Sequence, residues 1–384
     1  MQFEFATATR IIFGPGTAGQ LPVLAAQMGR RAFILTGSDP ARLSPVIEAV
    51  YAQGLECQTH PITGEPDVET ISRAVAKARA MNCDVVVGVG GGSVLDAAKA
   101  VAAMLANPGE ILDYLEVVGA GRPITEAPIP CIAVPTTAGT GAEVTRNAVI
   151  AVPDSKVKVS MRSPLMLPRL ALVDPLLTVS MPAAVTASTG LDALTQLIEA
   201  YTSKKANPLT DGICTEGIRR AARSLALAYK RPDDLAARED MALASLFGGL
   251  ALANAALGAV HGFAGPLGGM IGAPHGVICG RLLPYVMAAN VQTLQTSYAD
   301  CDALARYDNL AAMLTGDYSA TADDAVRWTQ DLCGRLAVPS LTEFGLTTDL
   351  IPQAVSHARK ASSMKGNPVA LSERQLTQIL QESM

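Results

Sequence analysis

Five side chains in the second half of the chain have types and spacings that could do metal chemistry. In GLDALTQLIEAY (190–201), Asp192 and Gln196 are four residues apart and share one helix face, and Glu199 follows three residues later. His261 and His275, each followed by glycine, lie fourteen residues apart in a stretch, 241–280, that has no Asp, Glu, Lys or Arg. They are two of only four histidines in the chain. Buried imidazole needs a partner, and an aspartate with two histidines suits Zn2+ or Fe2+ while leaving a position open for a substrate oxygen. The same residues also read as two hydrogen-bonded core histidines and a helix-capping aspartate, and residue types alone leave both readings open.

The first half carries a different chemistry. In GVGGGSVLDAAKAVA (88–102), glycines and Ser93 stand where the β-branched run DVVVGVG gives way to an amphipathic helix. Glycines let a backbone approach a phosphate, and a helix N-terminus supplies free N–H groups and partial positive charge. A turn used only for close packing is the plain alternative. No Gly-Lys-Ser/Thr follows, which excludes a Walker A loop. PTTAGTGAEVT (135–145) is a second polar loop after a strand. Its Thr136, Thr137, Thr140 and Thr145 offer hydroxyls that suit a ribose, a diphosphate or a nicotinamide amide. GPGTAG (14–19) matches G-x-G-x-x-G literally, yet no acidic residue ends a strand about 20 residues on, where RAFILTG closes in Gly37 and Ser38 follows. A tight turn before a helix is the better reading of it.

The elements that must position these residues differ between the halves. Up to about residue 180, strands expected at 31–37, 55–60, 84–90 and 129–137 alternate with helices expected at 41–53, 68–81 and 93–105. This is the rhythm of a parallel sheet with helices on both faces, whose ligand crevices lie at the carboxyl ends of strands. Residues 3–7 and 10–13 suggest an opening antiparallel ribbon. From Pro182 the pattern is helical, with Ala/Leu-rich segments at 184–202, 208–229 and 235–257. The expected organisation is an α/β domain over 1–181 and an all-helical domain over 182–384, without internal repeats.

Composition narrows the function classes. A chain of 384 residues suits two or three domains, and 49% hydrophobic against 17% charged residues excludes wholesale disorder. A net charge of −5 argues against a dedicated nucleic-acid binder. Cys57, Cys83, Cys131, Cys214, Cys279, Cys301 and Cys333 are scattered, odd in number and without a CxxC. That fits reduced thiols in the cytosol. The opening MQFEFATATRIIFGPG lacks the signal-peptide pattern. The uncharged stretch is long enough to span a membrane, but its Ala and Gly, with Asn254, two His and two Pro, predict buried helices of a cytoplasmic protein.

GGGSVLDAAKA, PTTAGTGAEVT, ALVDP, GLDALTQLIEAY, VHGFAGPLGGMIGAPHG and SSMKGNP occur in this order. Together they resemble the iron-containing (group III) alcohol dehydrogenase family over nearly the whole chain, with PTTAGTGAE and PHG the specific segments. The resemblance implies a parallel-sheet dinucleotide-binding domain followed by an all-helical metal-binding domain, a dehydroquinate synthase-like architecture, with a metal between them. It implies NAD(P)-dependent interconversion of a small-molecule alcohol and an aldehyde or ketone, by hydride transfer with the substrate oxygen polarised by a divalent metal. A homodimer or higher homo-oligomer is expected. Gly91, Gly92, Ser93 and Asp96 fall on the family's pyrophosphate loop, and Thr136, Thr137, Thr140 and Thr145 on its second cofactor loop. Lys158 matches a lysine at the cofactor, and Asp192, His261 and His275 match metal ligands. Gly37 and Ser38 stand where NAD-specific members place an acidic residue, which implies tolerance of NADP(H).

Two positions depart from the family pattern. Gln196 stands where the iron enzymes usually have histidine, and an amide oxygen is a weaker ligand than imidazole. The remaining set resembles that of zinc-dependent glycerol dehydrogenases. The expected ion is Fe2+ or Zn2+, weakly bound, with Gln196 at most a long fourth ligand. Gly265 replaces a histidine that relays protons in many members, so no catalytic base is identified. Reductases of maleylacetate or of acidic or phosphonate-bearing aldehydes are alternatives within the family. Outside it stand a dehydroquinate synthase-like lyase, which needs more Lys and Arg near the ligands than the helical half offers, and a metal-free cofactor binder, for which Gln196 is the support.

Overall fold

The β-branched runs of the first half form a six-stranded sheet. The strands are β1 (Ile11–Phe13), β2 (Arg31–Thr36), β3 (Glu56–Pro61), β4 (Val85–Gly90), β5 (Cys131–Pro135) and, after an antiparallel ribbon of β6 (Asn147–Val152) and β7 (Val157–Arg162), β8 (Leu170–Val173). Their order is β1-β8-β5-β4-β2-β3, and every neighbouring pair is parallel. The computed structural model describes residues 2–39, 44–155, 157–297 and 301–384.

Successive side chains of a strand point to opposite faces, and both faces of this sheet are covered. Ile34, Val85, Val87 and Val89 pack with residues of α1 (Leu21–Ala26) and α2 (Ser44–Ala52). Phe33, Leu35 and Val86 pack with α3 (Val68–Ala80), α4 (Gly92–Ala106) and α5 (Ile111–Tyr114). Methyl groups on Gly88 and Gly90 would lie 2.8 Å from Ala98 Cβ and 2.5 Å from Val94 Cγ2, so glycine at both lets α4 sit close to β4. The chain runs from β2 outward to β3 and returns to β4 on the other side of β2. Such a reversal opens a crevice beyond the strand ends.

The second half is helical: α6 (Ala183–Thr202), α7 (Pro208–Lys230), α8 (Leu235–Ala255), α9 (Ala259–Ile271), α10 (His275–Ser297), α11 (Asp302–Thr315), α12 (Ala322–Arg335), α13 (Ile351–Lys360) and α14 (Glu373–Glu382). α6 packs against α7, α8 and α10 and is buried without interruption from Gly190 to Thr202. One apolar core runs from Leu191 and Leu194 of α6 to Leu376 and Leu380 of α14.

The chain divides into two units, Thr7–Thr137 with Gly141–Val179, and Ser180–Met384 with Met1–Ala6 and Ala138–Thr140. The two short stretches, expected in the first domain, belong with the helices for visible reasons. The Asn254 side chain bonds both backbone groups of Ala6, at 2.7 and 2.9 Å. Gly139 abuts α6, where a methyl would lie 2.6 Å from Thr189 Cβ.

Several expectations need correction. The antiparallel opening ribbon does not form, because Ala6 is bonded by Asn254 and β1 pairs in parallel with β8. β6, β7 and β8 follow 129–137, in a segment where the pattern predicts no strand. Residues 41–43 of the helix expected at 41–53 lie outside the described residues; the rest forms α2. α8 stops at Ala255 because Ala256 turns the chain at φ 60°. The uncharged stretch covers most of α8, all of α9 and the start of α10. No single helix among the described residues is long and apolar enough to cross a membrane. α8 and α9 pass that test only as a pair bent by 101°, and both are largely buried.

Candidate metal centre and cofactor loops

Three helices of the second unit bring four metal-ligating side chains together. Asp192 lies in the buried middle of α6, His261 in the first turn of α9, and His275 and Cys279 one turn apart at the start of α10. One ligand atom from each lies within 4.8 Å of all the others. His261 Nε2 is 3.3 Å from Asp192 Oδ1, His275 Nε2 is 3.7 Å from the same oxygen, and Cys279 Sγ is 3.8 Å from His261 Nε2. Cys279 is the residue that sequence reading missed. Its signal was the i, i+4 spacing from His275 in PHGVIC, which puts both on one helix face.

Glycines make this approach possible. A methyl on Gly276 would lie 2.1 Å from the main-chain oxygen of Ser188, and one on Gly280 2.6 Å from Leu191 Cδ1. Each glycine follows a candidate ligand, so the edge of α10 that carries His275 and Cys279 presses directly on α6. His261 is set from behind by Glu199. One Glu199 oxygen accepts Val260 N at 2.7 Å, and the other accepts His261 N at 3.3 Å and His261 Nδ1 at 2.7 Å. A carboxylate only accepts, so Nδ1 carries the hydrogen and Nε2 faces Asp192. This is the outer carboxylate that ligating histidines characteristically have.

The ionisable groups of the cluster shift one another. Burial opposes charge on His261, but Cys279, Asp192 and Glu199 hold it well above the usual histidine range. Against the partial desolvation of a half-buried ring, Cys279 and Asp192 push His275 up to about 9. Burial likewise opposes ionisation of Asp192, yet the two histidines hold it below the usual carboxylate range. The donor spacing fits a divalent ion: bonds of about 2.0–2.3 Å at tetrahedral angles place donors about 3.3–3.6 Å apart, close to the 3.3, 3.7 and 3.8 Å found.

Gln196 follows Asp192 by one turn. Its Nε2 donates to Thr140 O at 3.4 Å. Its Oε1 is buried without a hydrogen-bond partner and faces Gly248 of α8, whose Cβ would lie 2.8 Å away. Gly265 has open space around the position a Cβ would take.

In the first unit, Gly37 and Ser38 follow β2, and Gly91, Gly92 and Ser93 follow β4, at the reversal of strand order. Gly91 caps α4 and offers no side chain to the N–H groups of its first turn. Thr136 and Thr137 follow β5, next in the sheet, and Thr136 N donates to Gly90 O at 2.9 Å. Asp96 and Thr145 are occupied internally. Lys99 Nζ, fully buried, lies 2.9 Å from Asp96 Oδ1, Ala142 O and Thr145 Oγ1 alike, and Asp96 Oδ2 accepts Val149 N at 2.9 Å. Lys158 lies on β7, paired with Glu65. The GPGTAG turn has its own anion: the Asp174 carboxylate accepts Gly16 N at 3.1 Å and Ala18 N at 3.0 Å.

A parallel sheet with a glycine-rich turn at its reversal suits a nucleotide, and the acid–imidazole cluster of the helical unit suits a divalent metal. Comparisons with known proteins narrow this reading. The family model described as iron-containing alcohol dehydrogenase matches residues 8–175, and that of the Fe-containing alcohol dehydrogenase family, C-terminal, matches 186–384. Long-chain-alcohol dehydrogenase 1 of Geobacillus thermodenitrificans is 36% identical over 365 residues, covering 90% of this chain and 91% of the relative. A crystal structure of 1,3-propanediol oxidoreductase superposes with a TM-score of 0.92 at 30% identity, covering 100% of both chains. Sulfoacetaldehyde reductase from Bifidobacterium kashiwanohense, in complex with NAD+, superposes with a TM-score of 0.88 at 29% identity, covering 99% of this chain and 98% of that one. The chain belongs to the iron-containing alcohol dehydrogenase family. It is an oxidoreductase acting on the CH–OH group of alcohols, in a family that uses NAD(P) and a divalent metal.

Proposed function

We propose that Asp192, His261 and His275 hold the divalent metal of a dehydrogenase of small alcohols, which also reduces the corresponding aldehydes or ketones. NAD(P) lies along Gly37, Ser38, Gly91, Gly92, Ser93, Thr136 and Thr137. The observation that carries the reading is the convergence of one carboxylate and two imidazoles, with Glu199 fixing the ring of His261. When bound, the ion supplies Lewis acidity toward the substrate oxygen, and the nicotinamide accepts or donates hydride.

The chain's own residues orient these groups. The N–H groups opening α4 receive the pyrophosphate, and the hydroxyls of Thr136 and Thr137 orient the cofactor beside it. Asp96 and Thr145 are positioning residues, which act through Lys99 by fixing the 142–149 segment against α4. Thr140 acts in the same way, its carbonyl held by Gln196. Lys158 reaches a cofactor phosphate only by releasing Glu65. The side chain of His275 is 42% exposed and stands on the open side of the cluster, where a substrate oxygen has access. Gly265 has no side chain to relay a proton.

Nicotinamide absorbance on metal-reconstituted protein, screened over short alcohols and aldehydes, tests the activity. His261→Ala loses both bound metal and turnover. Full turnover without detectable metal, unchanged in His261→Ala, refutes the reading. A cytoplasmic location is supported by seven free thiols. A homo-oligomer is part of the same proposal; a monomer by light scattering refutes it.

A further inference from the structure

We propose that Cys279 is the fourth protein donor of this metal centre, giving an Asp/His/His/Cys site that prefers Zn2+ or Co2+ to Fe2+. The inference rests on the reading that Asp192, His261 and His275 hold a metal. It adds a ligand that the family resemblance does not supply and assigns the ion.

Three observations carry it. The sulfur is fully buried and 3.8 Å from His261 Nε2, against about 3.6 Å between sulfur and nitrogen on a tetrahedral zinc. Other thiols are directed elsewhere: those of Cys83 and Cys333 donate to the carbonyls of Val85 and Gly280. Cys279 instead faces the imidazole that Glu199 orients. Gln196, the other candidate for a fourth donor, spends its amide N–H on Thr140 O at 3.4 Å, and its Oε1 lies beside Gly248.

The helix geometry completes the argument. His275 and Cys279 occupy the positions before Gly276 and Gly280, whose close contact with Ser188 and Leu191 presents both donors to Asp192. A thiol that binds a divalent ion gives its proton to solvent. A soft thiolate beside two imidazoles shifts preference toward zinc, and divalent zinc and cobalt bind nitrogen and sulfur donors more tightly than ferrous iron.

Cobalt substitution of the full chain tests this by a readout other than activity. Wild type retains one Co2+ per chain and shows a thiolate-to-cobalt charge-transfer band. Cys279→Ser, folded by circular dichroism, still takes up Co2+ but loses the band, and its Zn2+ affinity falls at least about tenfold. In wild type under a brief denaturant pulse, which opens the buried site to reagent, Zn2+ also lowers alkylation of Cys279 relative to the buried Cys333, followed by peptide mass spectrometry, which needs no variant. Cobalt bound without the band, with Cys279 alkylated equally with and without Zn2+, overturns the assignment and leaves the Asp/His/His reading standing. Failure of wild type and His261→Ala alike to retain Co2+ defeats that underlying reading, and the assignment with it.

Discussion

Replacing Glu199 by glutamine tests whether a buried carboxylate sets the metal centre from behind. Glu199 accepts from three N–H groups, Val260 N, His261 N and His261 Nδ1, at 2.7, 3.3 and 2.7 Å. Glutamine has nearly the same volume but turns one of the two acceptor atoms into an NH2 donor. Whichever way the amide lies, a donor faces a donor, and the charge-assisted bond to the imidazole is lost. A hydrogen bond to a charged group contributes about 1.5–3 kcal/mol. Removing the outer partner of a ligating histidine lowers metal affinity about 10- to 100-fold, which is about 1.4–2.8 kcal/mol. Zn2+ affinity in competition with a chromophoric chelator should therefore fall by one to two orders of magnitude, while far-ultraviolet circular dichroism is unchanged. Thermal unfolding of the metal-free variant separates the two roles of Glu199, since it also holds the start of α9. A variant that loses stability yet binds Zn2+ as wild type does would show that Glu199 is a core residue and nothing more.

Gly276→Ala places a methyl 2.1 Å from a main-chain oxygen of α6; it should lose about 1–3 kcal/mol in denaturant unfolding together with bound metal. Gly265→Ala, which enters open space inside α9, should stabilise by about 0.5–1 kcal/mol through helix propensity, and a loss in denaturant unfolding would show the space is filled. Burial pushes Glu143 from 4.5 up to about 7, with Lys99 offsetting part of the rise. The folded chain therefore keeps a proton that the unfolded chain releases, and the carboxyl destabilises the fold increasingly as pH climbs through that window. At about 1.4 kcal/mol per pH unit, Glu143→Gln should stabilise by up to about 3 kcal/mol near pH 8 and by nothing near pH 4. Parallel stability curves for the two proteins would contradict this. β2 is followed by Gly37 and Ser38, with no carboxylate at either position. NADP(H) should therefore bind within about tenfold of NAD(H) by calorimetry; a strong preference for NAD that disappears in Asp39→Ala would assign the selection to Asp39.

Periodicity made the two halves legible. β4 was visible because a strand covered on both faces must be apolar throughout, and 85–90 has no polar side chain. α4 was visible because its glycine-rich start and apolar face lie side by side in the chain. β6 to β8 were not, because a ribbon that is only partly buried and a four-residue strand leave weak patterns. The literal G-x-G-x-x-G of 14–19 is a turn whose amides already have an anion, since Gly16 N and Ala18 N go to the distant Asp174. Asp96 and Thr145 stood on the expected loops, but only the structure showed Lys99 between them.

The amino-acid sequence by itself determined the two-part organisation, the glycine turn after β4 and the types of three candidate ligands, because each depends on neighbours within a turn or two. Tertiary structure decided that Asp192, His261 and His275 meet, that Glu199 stands behind His261, that Gln196 turns toward Thr140, and that Cys279 joins the cluster. These are meetings of α6 with α9, α10 and the 138–140 loop, across as many as 87 residues of chain. They depend on how closely helices approach, and Gly276 and Gly280 allow that approach only because of what α6 presents to them.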